Sequence, residues 1–493
     1  IGKELGVEYI LEGTIKWERF DDENRVRIQP QLIKVDDDIY LWSASYDAVL
    51  KEIFELQSRI AREVVNSLNI TLMLPERERL DSRVTDNIEA YNYYLQGKNY
   101  FDNAVPVSKD EELAIQMFEH AVALDTMFSE AYSWLAHLHA WIHFNTLDRT
   151  GQQLTLSKKA AEKAVRFSGN GAAGKSAMGY YYYYGLRDYE AALREFNDAL
   201  KLQPNNSELL SAIGFVQRRL GLWDEALANL VKASQLDPLS PARILQVVLV
   251  LNPTRRNKEC LEILDKGIAL SPDNGLFYVH KFYVLYNLHE DLDELRELLE
   301  TASKNFVPNQ QVYTVWETYY MWRRDYKAAA AVQPALSNDI YRDTVDFYLA
   351  KAIIFMLMKD ERASHAYADS VREILEKCIT LQPDYYEHYA NLGIALALLG
   401  RKPEAIEAGQ KAVGILPVQK DAYRGFRQLN WLALIYTFVG EKDLALDAVD
   451  SLLSIPSFVT VPKLKIDPVY DPLRDHPRFK VIIEKYEKEC YGT

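Results

Sequence analysis

A proline returns every 34 residues just past the end of an apolar segment. Pro204, Pro238 and Pro272 close Leu202-Gln203-Pro204, Leu236-Asp237-Pro238 and Leu270-Ser271-Pro272, and Pro383 and Pro417 repeat the step. A fixed period of this length marks one supersecondary unit, copied and stacked. Such a unit buries its apolar face only against its neighbours. The chain is thereby constrained to a helical array that offers a long surface and has no built-in catalytic cleft.

The units share an internal spacing as well as a terminal proline. Ala192, Phe196 and Ala199 precede Pro204, and Ala226, Leu230 and Ala233 precede Pro238. Cys260, Leu264 and Gly267, then Val371, Leu375 and Cys378, then Ala405, Gly409 and Ala412 follow the same rule. Small residues let two helix backbones approach, a larger one fills the groove, and proline ends the helix. Gly221 and Gly400 fall where a first helix turns into a second, a C-cap role. Ser240 before Pro241 is an N-cap with proline at the first helical position. Residues 309–345 keep helical character and lose the period.

Composition narrows the function classes. The 493 residues exceed one compact core. A net charge of -14 argues against a surface for nucleic-acid phosphates, and Ala352–Met358 is too short to span a bilayer. The three cysteines, Cys260, Cys378 and Cys490, have no metal-binding spacing, and two of them fill small buried positions of the repeat. A reducing, cytoplasmic setting fits them; an upstream membrane segment would make it periplasmic. The chain opens at Ile1, inside a helix-like stretch, as a fragment of a longer polypeptide would.

The first 70 residues have another texture. Tyr9–Trp17 and Arg25–Val35 alternate polar and apolar residues around Asp21-Asp22-Glu23-Asn24, a hairpin pattern. Ile39–Tyr46 reads as a third strand and Ile53–Leu68 as a helix, a small α+β unit with a marginal core. Residues 71–87 read as a linker and 88–456 as an array of about ten to eleven helix pairs. Residues 457–493, rich in Asp-Pro steps, read as a segment that caps the array.

The array resembles the tetratricopeptide repeat family. Gly2–Gly13, Gln31-Leu32-Ile33 and Leu41-Trp42-Ser43 resemble the later half of a TolB-amino-terminal-like domain, with Thr85–Tyr91, Tyr94, Leu95 and Gly97 similar to its junction and Asp471–Phe479 to its tail. The resemblance implies a mainly α fold, a right-handed α-helical solenoid of such helix pairs preceded by a small partial α+β domain. It also implies the sensory or adaptor region of a bacterial signalling protein, whose output module would be a kinase, a nucleotidyl cyclase or a winged-helix regulator. In this family first helices line the concave face. That places Tyr181, Tyr184, Phe215 and Arg218 there, with Asn391 where some relatives hold a peptide backbone. The expected partner is a protein or peptide on that face, without direct nucleic-acid or membrane contact and with self-association open. No Lys/Asn set makes a carboxylate clamp, and no cofactor is expected.

Three motifs invite sharper chemistry. Gly169–Ser176 fits the pattern G-x-x-x-x-G-K-[ST], but a phosphate loop follows a buried strand. Here the helical stretch Leu156–Phe167 precedes it, so an inter-repeat turn is expected and a nucleotide-binding enzyme is the rival. His139 and His143 share a helix face next to His137 and could hold zinc, yet no further ligand is near and Trp134 and Trp141 indicate aromatic packing. Tyr180–Tyr184, five consecutive tyrosines, cannot all be buried on one helix. No nucleophile–base–orienter set emerges from spacing. The sequence reading is a non-catalytic scaffold; the alternatives are the nucleotide-binding enzyme and the regulatory region of a DNA-binding regulator.

Overall fold

The computed structural model describes residues 7–20, 23–49, 53–72, 83–103, 109–145, 150–305, 310–333 and 340–491. Asp21 and Asp22 of the expected turn, the helix-like start at Ile1, most of the linker 71–87 and the side chain of Cys490 lie outside the described residues. The chain is mainly α-helical with a small strand-containing region at its N-terminal end. It divides into two compact units, Ile1–Phe144 with Gln153–Leu186 and Arg194–Asn205, and Asn145–Gln152 with Arg187–Leu193 and Asn206–Thr493.

In the first unit, β1 (Tyr9–Phe20) and β2 (Glu23–Lys34) pair antiparallel along their whole length. The expected third strand is two: β3 (Ile39–Ser43) and β4 (Tyr46–Val49) pair in succession with the other edge of β2. Helix α1 (Ile53–Ser67) covers β2 and β4 through Val26, Tyr46, Ala48 and Leu56, and leaves Leu11 and Ile15 of the outer strand exposed. Its Glu63 accepts hydrogen bonds from Trp42 Nε1 (3.1 Å) and the Tyr46 hydroxyl (2.7 Å), which fixes helix to sheet.

Helices then follow in pairs. The first unit holds α2 (Ile88–Asn103), α3 (Lys109–Leu124), α4 (Ser129–Phe144), α5 (Gln152–Ser168) and α6 (Ala172–Tyr180), which continues as a π-helical turn over Tyr181–Leu186. Helix α7 (Tyr189–Leu202) ends two residues before Pro204. Ala192, Phe196 and Ala199 are fully buried on α7, and a Cβ on Gly179, a position outside the sequence pattern, would stand 2.5 Å from the Phe196 ring.

The second unit continues with α8 (Ser207–Arg219), α9 (Trp223–Leu236), α10 (Pro241–Leu251), α11 (Asn257–Leu270), α12 (Gly275–His289), α13 (Leu292–Asn305), α14 (Gln310–Trp322) and α15 (Tyr326–Ala331). Then come α16 (Ile340–Leu357), α17 (Glu361–Leu381), α18 (Tyr386–Leu398), α19 (Lys402–Ile415), α20 (Gly425–Phe438) and α21 (Lys442–Ser454). Ser240 accepts from the Arg243 N–H as the N-cap of α10. Cys260 and Cys378 are buried, and burial pushes the Cys260 thiol up to about 12, so it packs as an apolar group.

The turn between first and second helix needs one residue in the left-handed region. Gly221 and Gly400 supply it at φ +79° and +74°. At the equivalent place other repeats carry Arg187 (φ 54°), Arg255 (58°) and Arg324 (61°), side chains that accept about 1 kcal/mol of backbone strain there. The compensation lies in what those arginines reach. Arg255 donates to the main-chain carbonyls of Leu453 (2.9 Å), Leu452 (3.0 Å), Ile455 (3.0 Å) and Val459 (3.2 Å). Arg324 pairs with Asp471 at 3.0 Å, and Arg187 lies over the Tyr386 ring at 5.4 Å.

Arg255 and Arg324 reach the expected capping segment, and its first half departs from that role. Residues 455–470, including α22 (Val461–Ile466), run back across the ends of earlier first helices. Ser457 N–H donates to Pro253 O (2.9 Å) and Thr460 Oγ1 to Asn287 Oδ1 (2.7 Å). Val459, Val461, Leu464, Val469 and Tyr470 are buried in the core formed with residues 345–486, and Ile466 packs against the cluster of α12 and α14. After the short helix α23 (Asp471–Arg474), α24 (Pro477–Tyr491) packs on α21, where Arg478 pairs with Asp443 and Asp447 and Lys485 with Asp450.

Loss of Arg255 strands several carbonyls at once. Arg255→Ala is expected to lower stability in urea unfolding by about 3 kcal/mol or more. Arg256→Ala, which breaks an exposed pair with Glu259, changes it by less than about 1 kcal/mol.

Candidate functional site

The first helices α8, α10, α12 and α14 present polar and aromatic side chains on one face, and the returning segment lies over it. Between them is a cavity of about 200 Å³. Its floor is Asn252 after α10, His280, Tyr283 and Asn287 of α12, and Trp322 of α14; its roof is Phe458, Thr460 and Lys463. Asn252 and His280 hydrogen-bond through Nδ2 and Nδ1 at 3.2 Å. Burial and the nearby Arg427 push the His280 imidazole down to about 4, so it is neutral around pH 7, and an amide N–H donating to Nδ1 puts its own proton on Nε2. The Trp322 indole N–H faces the Asp467 carboxylate without completing a hydrogen bond to it.

Beside the cavity, Phe458 leads to a cationic cluster around Tyr423, with ring centroids 6.4 Å apart. Arg218 lies 4.2 Å and Arg219 5.1 Å from the Tyr423 ring, and Arg427 lies 5.5 Å from both that ring and Phe458. Burial would raise the Tyr423 phenol, but the guanidinium groups of Arg218, Arg427, Arg219 and Arg424 bring it below its ordinary value. One buried carboxylate anchors the cluster: Asp421 pairs with Arg219 at 3.4 Å and accepts from Tyr189 OH (2.7 Å) and the N–H groups of Tyr423 (3.0 Å) and Arg424 (2.8 Å). Burial opposes its charge, and Arg219 with these hydrogen bonds outweighs burial and holds it below the usual range.

The residues singled out in the sequence fall into different surroundings. Tyr181 and Tyr184 are in the first unit; Phe215, Arg218 and Asn391 are in the second. Tyr184 is 5% exposed, packed on His137, Trp141 and Phe144, and Arg218 is also 5% exposed, against Tyr423. Those two are not surface contacts as expected, because stacking consumes their faces. Tyr181, Phe215 and Asn391 are half-buried. Of the five tyrosines, Tyr183 and Tyr184 are buried and Tyr180 stacks on His137 at 3.7 Å, while Tyr181 and Tyr182 keep partial exposure.

The other motifs are used internally. Gly169–Gly171 is the turn between α5 and α6, helix rather than strand precedes it, and Lys175 pairs with Asp198 at 3.6 Å. The Gly174 N–H donates to Ser168 Oγ and the Ser176 hydroxyl donates to Ala172 O within its own helix. His139 Nδ1 engages Gln153 Oε1 at 2.6 Å, and burial lowers its pKa. Among the described residues, no group of three or more His, Cys, Asp or Glu side chains could hold a metal ion. The arginines at the repeat turns and the residues of the returning segment were missed in the sequence. A signal existed: Arg187 and Arg255 stand 34 residues to either side of Gly221.

Two stretches of these helix pairs, residues 181–241 and 355–420, match the family model of the tetratricopeptide repeat. Among particular relatives, a Rhizobium meliloti (strain 1021) protein provisionally named adenylate cyclase 3 is 29% identical over 171 residues, 34% of this chain and 28% of that protein. A TPR repeat-containing protein of Methanocaldococcus jannaschii is 24% identical over 292 residues, 55% of this chain and 48% of that protein. The crystal structure of a tetratricopeptide repeat protein from Parabacteroides merdae shares 15% identity, with 55% of this chain and 98% of that chain covered and a TM-score of 0.34. The chain spans about a quarter to a half of the length of the curated relatives it matches. No helix among the described residues is long and apolar enough to cross a membrane.

The Arg219–Asp421 pair sets an acid limit to stability. Because the Asp421 pKa is lowered by folding, its contribution is complete above the unfolded value near 3.8 and is lost as pH falls through the lower folded value. Asp421→Asn is expected to cost about 3–5 kcal/mol at pH 7 and to flatten the fall in stability below pH 4, read by urea unfolding across a pH series.

Proposed function

We propose that this chain is a non-catalytic scaffold that binds a protein or peptide and serves as the sensory or adaptor region of a bacterial signalling protein, with its N-terminal strands and helix forming part of a TolB-like domain. The observation that carries the reading is the pair of tetratricopeptide segments, 181–241 and 355–420, since stacked helix pairs provide extended surface rather than a reaction centre. Similarity over 171 residues to the cyclase-named bacterial protein supports the signalling context. It touches 28% of that protein, so catalysis by this chain does not follow from it. Each unit is proposed to make its own contacts: Tyr181, half-buried, in the first unit, and Phe215 and Asn391, half-buried on first helices, in the second. Tyr184 supports the first unit's surface and Arg218 the second's from within the packing. The proposed compartment is the cytoplasm.

Two measurements test the reading. The full chain is exposed to an array of overlapping peptides from proteins of its source cell, and saturable binding of an extended peptide is expected. The double variant Phe215→Ala, Asn391→Ala in the second unit and, separately, Tyr181→Ala in the first should each weaken the binding of their own unit, about tenfold for the double variant; unchanged binding in either removes those residues from an interface. Titration with ATP and magnesium is expected to give no heat and no cyclic nucleotide, because Lys175 and Ser176 are engaged within the packing. Heat that disappears in Lys175→Ala would replace the scaffold with a nucleotide-binding enzyme.

A further inference from the structure

Helix α5 breaks the charge pattern of the chain. The second helices α7, α9, α11 and α21 each carry more carboxylates than cations, in keeping with the net charge of -14. Helix α5 carries Lys158, Lys159, Lys163 and Arg166 against one carboxylate, Glu162. Its Ser157, Ala160, Ala161 and Ala164 are buried, so the cations stand on the opposite, exposed face. Glu162 is drawn to Lys158 at 4.0 Å. Lys159, Lys163 and Arg166, at i, i+4 and i+7 on one stripe, meet no carboxylate among the described residues. We propose that this stripe is a docking surface for an acidic helical segment of a partner protein.

A charged helix face is ordinarily just solvated, and two observations separate this one from that role. The first is position. A cation in the last turn answers the helix dipole, which accounts for Arg166. That field fades within a turn, and Lys158, Lys159 and Lys163 stand before it. The second is preorganisation. The Lys163 ammonium lies 4.8 Å from the centroid of the Tyr132 ring and the Arg166 guanidinium 5.7 Å from that of Phe167, and these two rings stack at 5.7 Å. Rings that hold long side chains in place reduce the entropy lost when a carboxylate arrives. The partner's chemistry follows from sign and extent. The three cations cover about 10 Å along α5, which suits two or three carboxylates on a facing helix. A membrane surface or a long nucleic acid would also meet the acidic remainder of the chain, which repels a polyanion. This inference rests on α5 alone and is independent of the contact proposed at Tyr181, so either can fail without the other.

The test uses the full chain and a fluorescent, alanine-based helical peptide with glutamates at i, i+4 and i+7. Anisotropy at low salt is expected to give a Kd of about 0.1 mM, weakened about tenfold at about 0.5 M salt. A glutamine version, and a version with the same glutamates spread round the helix, should each bind about tenfold more weakly. Lys159→Glu, Lys163→Glu and Arg166→Glu together should abolish binding, and Lys159→Gln alone, at an exposed position that folding tolerates, should weaken it about threefold. Lys201→Glu, which removes an exposed cation of α7 paired with Asp198, should leave binding unchanged. The proposal is overturned if the peptide fails to bind at about 1 mM, if either control peptide binds as well, or if binding survives the triple reversal in a variant with native circular dichroism. Anionic vesicles or duplex DNA held more tightly than the peptide by the same three residues would also overturn it.

Discussion

The second unit depends on one guanidinium. Arg255 stands in a left-handed turn that its neighbouring repeat fills with Gly221, and it donates to four carbonyls at and beyond the end of α21. Helix ends leave carbonyls without partners, and burying them without donors costs about 1–3 kcal/mol each. A planar fork with five N–H groups is suited to gathering several of them at one point. That contact spans about 200 residues of chain. Ordinary repeat packing joins nearest neighbours only, so a link of this sequence separation makes an interior repeat and the C-terminal part of the unit energetically interdependent where a simple array would behave as a row of nearly independent modules.

A second long-range contact, made by residues 421–427, explains why cations and aromatics concentrate around Tyr423. Residues 421–427 are carried onto the end of α8, where Arg218 and Arg219 already stand, and the Ala422 N–H donates to the Arg219 carbonyl at 2.8 Å. Bringing four guanidinium groups together needs compensation, and three sources are visible. Asp421 neutralises one, the Tyr423 and Phe458 rings face others, and the Tyr386 hydroxyl accepts from Arg424 at 2.8 Å. The burial of Arg218 is thus a consequence of that contact. From the sequence it sits on a first-helix face and would be open to a partner in a simple array.

What the sequence made legible was whatever depends on neighbours in the chain. Helix ends before Pro204 and Pro238, the buried positions Ala192, Phe196, Ala226 and Leu230, the Ser240 cap and the turn at Gly169–Gly171 are all set within one or two repeats. The buried state of Tyr184 was half legible, since five tyrosines cannot share one environment, but which two turn inward depends on His137 and Trp141 some 40 residues earlier and on the π-helical turn. The returning segment was not legible. Its apolar residues Val459, Val461 and Leu464 look like those of any terminal helix, and a link from Arg255 to Leu453 has no periodic signature. The split of the third strand at Ala44 also escaped, because Ile39–Tyr46 keeps an alternation compatible with one strand.

The covering of a repeat face by its own chain changes what that face can recognise. An open groove selects extended segments by presenting main-chain and side-chain partners over several repeats, and its affinity grows with length. Once residues 455–470 occupy that length, their buried apolar side chains make displacement by a competing segment costly, because Val459, Leu464 and Tyr470 would all be returned to water. Peptide recognition is then pushed toward first-helix surface that the return leaves uncovered.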